Sequence, residues 1–259
     1  MNLAGSVIIV TGSATGLGSA TAKLAASKGA NVVINYTKSE AEAKETAAAC
    51  RELGGEAMLC RADVSVDQDC RRMAAEAVAK WGRIDGLVNN AGQSVFANSA
   101  DLESLTAEDF LHVYSVNVVG AYQMIRATSP HLKESGQGAI VNVSSISSLT
   151  GAGSSIAYAA SKGALNTMTV SLARALAPEV RVNAVLPGLF PSRWWSEGLG
   201  EERYHRLVEQ FVEAVPLKAA ATPDALAESV VWLLEGAKFI TGETIMIDSG
   251  MHLLGFQPT

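Results

Sequence analysis

Ser6-Val7-Ile8-Ile9-Val10-Thr11-Gly12-Ser13-Ala14-Thr15-Gly16-Leu17-Gly18 opens with β-branched residues and breaks into glycines. A short apolar run closed by glycine reads as a buried parallel strand. The small-residue stretch Ser19 to Lys28 then reads as a helix. Glycines at a strand-to-helix turn let backbone approach a pyrophosphate, and the helix N-terminus favours its charge. The spacing here is G-x-x-x-G-x-G, which on its own is also compatible with a simple turn.

The same alternation continues outward. Strands are expected at Val32–Ile34, Ala57–Arg61, Ile84–Val88, Ala139–Val143, Val180–Leu186 and Thr244–Ile247. Helices are expected at Glu40–Leu53, Asp67–Trp81, Thr106–Leu132, from Tyr158 to about Ala177, around Val208–Val215, and at Asp224–Leu234. Strands alternating with helices of this length indicate βαβ units. Right-handed crossovers place the helices on both faces. The fold class expected is α/β: one doubly wound parallel sheet of about seven strands. No linker, repeat or low-complexity tract interrupts residues 1–259, so a single domain is expected.

Composition narrows the function. Hydrophobic residues make up 48% and charged residues 18%, as in a globular protein with a large core. The net charge of −6, without a basic run, leaves little means of neutralising a phosphate backbone, so no nucleic-acid partner is expected. Cys50, Cys60 and Cys70 form no Cys-x-x-Cys pair, and the four His are scattered, so no metal site is expected. The first strand begins too early for a signal h-region, and no apolar run approaches the roughly 20 residues of a membrane span. The expected address is the cytoplasm, with no membrane partner.

Chemistry concentrates in Tyr158-Ala-Ala-Ser-Lys162. Tyr and Lys four apart on a helix share a face. An ammonium favours the phenolate and draws the Tyr pKa towards the working range. Taken alone, such a pair is also what a surface helix shows, with the Lys stem covering the ring. Asn117, flanked by Val116, Val118 and Val119, breaks the local rule for a helix interior, and such residues are often functional. Ser144, Ser145, Ser147 and Ser148 follow a strand, either filling a polar loop or standing where open α/β sheets bind ligands. Phe190, Trp194 and Trp195 lie beyond another strand, as core or as the wall of an apolar pocket.

Together and in this order, these motifs resemble the short-chain dehydrogenase/reductase family. The closest pattern is that of 3-oxoacyl-acyl-carrier-protein reductases and related carbonyl reductases. The family's T-G-x-x-x-G-x-G is Thr11 to Gly18, its N-N-A-G is Asn89 to Gly92, and its P-G loop is Pro187-Gly188. The resemblance implies hydride transfer between a nicotinamide and a small-molecule carbonyl or alcohol, with Tyr158 as acid or base. The family places its serine 13 positions before the tyrosine, which selects Ser145. The resemblance further implies that Lys162 lowers the Tyr158 pKa and holds the ribose, and that Asn117 holds a water leading to Lys162. Implied cofactor contacts are Gly12, Ser13, Thr15, Gly16, Leu17 and Gly18 in the glycine loop. Asp63, Val64, Asn90, Ala91 and Gly92 are implied further along, with Tyr158 and Lys162 at the ribose. Pro187, Gly188, Leu189 and Ser192 are implied at the nicotinamide end. Relatives pair through the helices of Asn117 and Tyr158, so a homotetramer is expected, with a substrate-loop segment at about 188–215.

NADP is the expected cofactor, with NAD possible. An NAD enzyme carries Asp or Glu about 20 residues past the glycine loop to hold the ribose 2′-hydroxyl. Tyr36 stands there, and no carboxylate appears before Glu40. Lys38 offers charge, and Asn35, Thr37 and Ser39 offer hydrogen bonds, all suited to a phosphate. Thr15, however, stands where many NADPH-dependent relatives carry Arg. The competing expectations are an NAD-linked dehydrogenase of a sterol, sugar or other alcohol, and a nucleotide-sensing regulator on the same fold. A sensor would not need Ser145, Tyr158 and Lys162 together.

Overall fold

Seven parallel strands run in the order β3-β2-β1-β4-β5-β6-β7 in the computed structural model, which describes residues 1–254. They are β1 (Val7–Val10), β2 (Asn31–Tyr36), β3 (Ala57–Arg61), β4 (Gly86–Asn89), β5 (Gly138–Val143), β6 (Val180–Pro187) and β7 (Thr244–Ile247). The chain steps outward one way from β1 and then crosses to β4 and steps the other way. That reversal leaves a crevice between the carboxyl ends of β1 and β4, the place where open sheets bind ligands. Positions 255–259, which complete the expected domain, lie outside the described residues.

Alternation along each strand splits the core in two. Ile8 and Val10 of β1, Val32 and Ile34 of β2, and Val141 and Val143 of β5 face one cluster. That cluster is capped by α1 (Gly16–Ser27), α2 (Glu40–Glu52) and α10 (Pro223–Glu235). Val7, Ile9, Val33 and Ile140 face the other, under α3 (Asp67–Trp81), α5 (Ala121–Glu134) and α7 (Ile156–Leu176). Both faces of the sheet are therefore dry, which explains strands that read as continuous apolar runs rather than half-polar ones.

Two expected elements differ. The helix expected over Thr106–Leu132 is three pieces: α4 (Ala107–Tyr114), a π-helical turn (Ser115–Gly120), and α5. Thr106 and Asp109 cap its start reciprocally. Asn117 sits in the π turn, whose extra residue shifts the helix face, a deformation often found at functional sites. Gly120 closes that turn because a Cβ there would come within 2.8 Å of Val64 Cγ2. The stretch expected as a loop after β6 also holds a short helix, α8 (Arg193–Leu199), followed by α9 (Glu201–Ala214).

Helix α7 is moored to the sheet by buried polar groups. Asn89 Nδ2 donates to Asn142 Oδ1 at 2.9 Å, and Asn142 Nδ2 donates to Thr169 Oγ1 at 2.9 Å. Ser144 Oγ donates to the Lys162 carbonyl at 3.2 Å. Buried polar groups are costly unless paired, so a chain of matched partners holds one register of α7 against β5.

Candidate active site

Ser155 caps α7 by accepting from the Tyr158 N–H at 3.2 Å, which puts Tyr158 in the first helical turn. Lys162 follows one turn later on the same face, and its Nζ lies 5.6 Å from the centre of the Tyr158 ring. Both side chains are buried. The Lys162 ammonium donates to the Val143 carbonyl at 2.7 Å, at the end of β5.

Burial dominates both titrations. It pushes the Tyr158 hydroxyl up to about 12, with the Ser145 hydroxyl pulling the other way. It lowers the Lys162 ammonium to about 8. In the cofactor-free chain, burial outweighs the pull towards the phenolate expected from Lys162. The helix N-terminus is worth only about 0.3–1 kcal/mol to an anion, under one pKa unit, and cannot offset this desolvation. At neutral pH the pair stands as a neutral phenol beside an ammonium.

Ser145 leaves the end of β5, just before the one-turn helix α6 (Ser147–Thr150), and faces a cavity of about 620 Å³. Its Oγ donates to Ser147 Oγ at 3.1 Å and accepts from the Ser147 N–H at 3.1 Å. Of the four serines, Ser144 is spent on α7, and Ser148 Oγ donates to the Ser145 carbonyl at 2.6 Å.

Asn117 is fully engaged. Its Oδ1 accepts from the Gln93 N–H at 2.8 Å, and its Nδ2 donates to the Gln93 carbonyl at 2.9 Å and to Ser161 Oγ at 2.9 Å. Ser161 Oγ in turn donates to the Tyr158 carbonyl at 2.7 Å. The π turn is therefore clamped to the loop after β4 and to α7 together. Gly92 brings that loop close to both: a Cβ there would lie 3.7 Å from Asn117 Oδ1 and 3.9 Å from Lys162 Nζ. Gln93 and Ser161 were not singled out in the sequence, because a clamp between distant segments leaves no local signal.

The side chains of several expected cofactor contacts also brace the crevice. Asn35 is buried: its Oδ1 accepts from the Gly12 N–H at 2.9 Å, and its Nδ2 donates to the Cys60 and Ala62 carbonyls. It braces the glycine loop from below, with no group left for a phosphate. Ser13 Oγ donates to the Val10 carbonyl and accepts from the Asn35 N–H. Asn90 Nδ2 donates to the Thr11 and Gly12 carbonyls, bolting β4 to the same loop. Gly18 must lack a side chain, since a Cβ would stand 2.5 Å from both Asn90 Nδ2 and the Gly12 carbonyl oxygen. Gly12 and Gly16 adopt positive φ. Thr15 and Leu17 border the turn, Thr15 standing before the first residue of α1.

The residues at both ends of this crevice suit a dinucleotide. At the β2–β3 end, a cavity of about 410 Å³ is lined by Thr37, Lys38, Arg61 and Asp63, beside Tyr36. Arg72, also at its wall, is held by Asp69 at 2.9 Å and Glu76 at 3.0 Å. The Asp63 carboxylate accepts from Ser65. Among the described residues, Lys38 and Arg61 have no ion-pair partner. Arg61 was not anticipated from the sequence. At the other end, Ser192 Oγ is buried without a hydrogen-bond partner among the described residues, three positions after Leu189 of the cavity wall. Gly188 follows Pro187 because a Cβ would meet Asp248 Cα at 2.8 Å. An orphaned hydroxyl suits a carboxamide.

The aromatic cluster differs from the expected trio. Phe190 packs against the sheet core instead. Trp194 lies against the Tyr158 ring at 5.2 Å and against Trp195 at 5.2 Å. Phe96, from the loop after β4, meets both indoles at 5.7 and 5.8 Å. Gly198 admits the Phe96 ring, which would stand 2.1 Å from a Cβ there. Arg193 anchors α8 to the N-terminal end of α2, donating to Glu42 at 2.7 Å and to Ser39 Oγ at 3.2 Å.

The family model described as Enoyl-(Acyl carrier protein) reductase matches residues 12–252. A protein assigned as ketoacyl reductase 2 of the granaticin polyketide synthase of Streptomyces violaceoruber is 40% identical over 96% of this chain and 96% of its own length. A crystal structure assigned as a short-chain dehydrogenase/reductase from Burkholderia xenovorans shares 39% identity at a TM-score of 0.90, covering 96% of this chain and 98% of that one. The crystal structure of NAD+-bound xylitol dehydrogenase shares 29% identity at a TM-score of 0.88, over 96% and 100% of the two chains. The sheet order, the glycine turn and these matches along nearly the whole length agree: the chain belongs to the short-chain dehydrogenase/reductase family of NAD(P)-dependent oxidoreductases, which act on small molecules.

Proposed function

We propose that the chain reduces a ketone or 3-oxoacyl compound with NADPH, using Ser145, Tyr158 and Lys162. The observation that carries this reading is their convergence: the segment leaving β5 and the first turns of α7 bring these groups together at one end of the sheet, where Ser145 faces an apolar cavity. The bound nicotinamide supplies the hydride. Tyr158, kept neutral by burial, donates its proton to the carbonyl oxygen. Ser145 turns its hydroxyl from Ser147 Oγ to the same oxygen as charge develops, an aimed donor worth a few kcal/mol. Lys162 presents its ammonium beside Tyr158 and at the ribose. Asn117 positions the loop of Gly92 and, through Ser161, the backbone of Tyr158. Trp194, Trp195 and Phe96 wall off water and favour an apolar substrate body.

Lys38 and Arg61 support NADPH over NADH. Two unpaired cations beside a β2 end without a carboxylate suit a 2′-phosphate. The NAD+-bound xylitol dehydrogenase relative and the absence of Arg at Thr15 favour the alternative, an NAD-linked alcohol dehydrogenase.

We also propose a homotetramer built through the faces of α4, the π turn, α5 and α7. Leu111, Val119, Tyr122, Ile156 and Val170 are exposed there. The small residues Ala160, Thr167 and Ser171 are exposed on α7 and permit close helix approach.

Three outcomes test these readings. Tyr158→Phe should lower turnover by about 10²–10⁴-fold while keeping cofactor affinity, and a variant turning over like wild type would remove Tyr158 from the acid role. Steady-state kinetics should give a higher kcat/KM with NADPH than with NADH. Lys38→Ala and Arg61→Ala should each narrow that ratio, and a wild-type preference for NADH would favour the alternative. Light scattering should return four times the chain mass of 27.0 kDa, and a single-chain mass at working concentration would contradict the assembly.

A further inference from the structure

The cavity beside Ser145 is walled by Phe96, Trp195, Leu199, Leu207 and Phe211, yet one charged side chain, Arg203, also lines it. Arg203, Leu207 and Phe211 recur every four residues on α9 and so share its cavity face. Arg203 stands in the first turn, at the open end, whereas Phe211 is buried at the other.

The neighbouring acids are occupied elsewhere. Glu197 pairs with Arg193 at 3.0 Å, Glu201 with His205 at 3.5 Å, and Glu202 with Arg206 at 3.5 Å. Arg203 has Leu199 and Leu207 four residues away on either side, and Gly200 and Arg206 three away. The spacing that pairs Glu197, Glu201 and Glu202 therefore leaves Arg203 without an acid three or four residues away. No ion pair or hydrogen bond reaches it from elsewhere among the described residues. An apolar pocket with few polar groups uses them to fix the ligand's orientation. A guanidinium does so by gripping an oxyanion with two parallel N–H bonds.

We propose that Arg203 is a specificity-determining residue that holds an oxyanion at the far end of the substrate. The substrate class is then an oxo acid: a carbonyl at Ser145, an apolar body along Leu207 and Trp195, and a carboxylate at Arg203. A phosphate ester shares the oxyanion chemistry and is a separate arm of the test. The inference rests on the carbonyl-reductase reading for the identity of the reacting end only.

Binding of decanoate, decyl phosphate and uncharged decanol is followed by tryptophan fluorescence in the full chain. In the wild type the better anion binds more tightly than decanol. Arg203→Ala lowers that anion-to-decanol affinity ratio about tenfold, the lower end for a charge-assisted pair at an exposed side chain. Arg203→Lys keeps part of the ratio, because a point charge replaces the fork. In kinetics with an oxodecanoate and its methyl ester, Arg203→Ala lowers the acid-to-ester ratio of kcat/KM by the same factor, through KM. A stronger effect with decyl phosphate than with decanoate replaces the carboxylate by a phosphate and overturns the oxo-acid assignment. An anion-to-decanol ratio unchanged in Arg203→Ala overturns the proposal altogether. If the wild type reduces neither acid nor ester, the reductase reading fails, while the binding ratio still decides Arg203.

Discussion

Everything at this site depends on how α7 is held against β5 where water is excluded. The helix carries Tyr158 and Lys162, and its position is set by hydrogen bonds between buried groups. These are the amide chain from Asn89 through Asn142 to Thr169, and the two ties of Lys162, through its carbonyl to Ser144 and through its ammonium to Val143. Leaving one such group unpaired costs about 1–3 kcal/mol, so a slipped register would lose several at once. The same mooring removes Tyr158 and Lys162 from water. Geometry and protonation therefore share one cause.

Amides do a second job around the cofactor crevice. Asn35, Asn90 and Asn117 each satisfy backbone groups of a neighbouring segment. Asn35 and Asn90 tie the glycine loop to β2 and β4, while Asn117 ties the π turn to the loop after β4. Loops beyond strand ends have backbone groups that no ladder satisfies, and side-chain amides supply both donor and acceptor. The crevice is thereby stiff before any ligand enters, which lowers the ordering cost of binding.

What could be read from the sequence follows from locality. The seven strands and most helices were legible because period and punctuation are local properties of a segment. Tyr158 and Lys162 are legible as a pair because helical spacing puts them on one face, whereas Ser145 stands out from its neighbouring serines only through the family resemblance. The π turn was not, since it answers to the close approach of Val64 to Gly120, a contact between distant segments. Phe96 was missed for the same reason: it joins Trp194 and Trp195 across about a hundred residues, through a gap left by Gly198. Asn35 looked like a phosphate ligand because its position is right, but its side chain points into the fold and is consumed there. The burial that raises Tyr158 leaves no local signal, because it is set by everything packed around the ring, Trp194 included.

The central claim is that burial, rather than mutual charge, sets the protonation of the Tyr158–Lys162 pair. Titrating the Lys162 amine by NMR in the cofactor-free protein tests it most directly. The account predicts a midpoint near pH 8, as burial lowers it, and the same midpoint in Tyr158→Phe, where the ring still covers the amine but carries no hydroxyl. A midpoint at the ordinary value of 10.5, or one that moves markedly when the hydroxyl is removed, would contradict it.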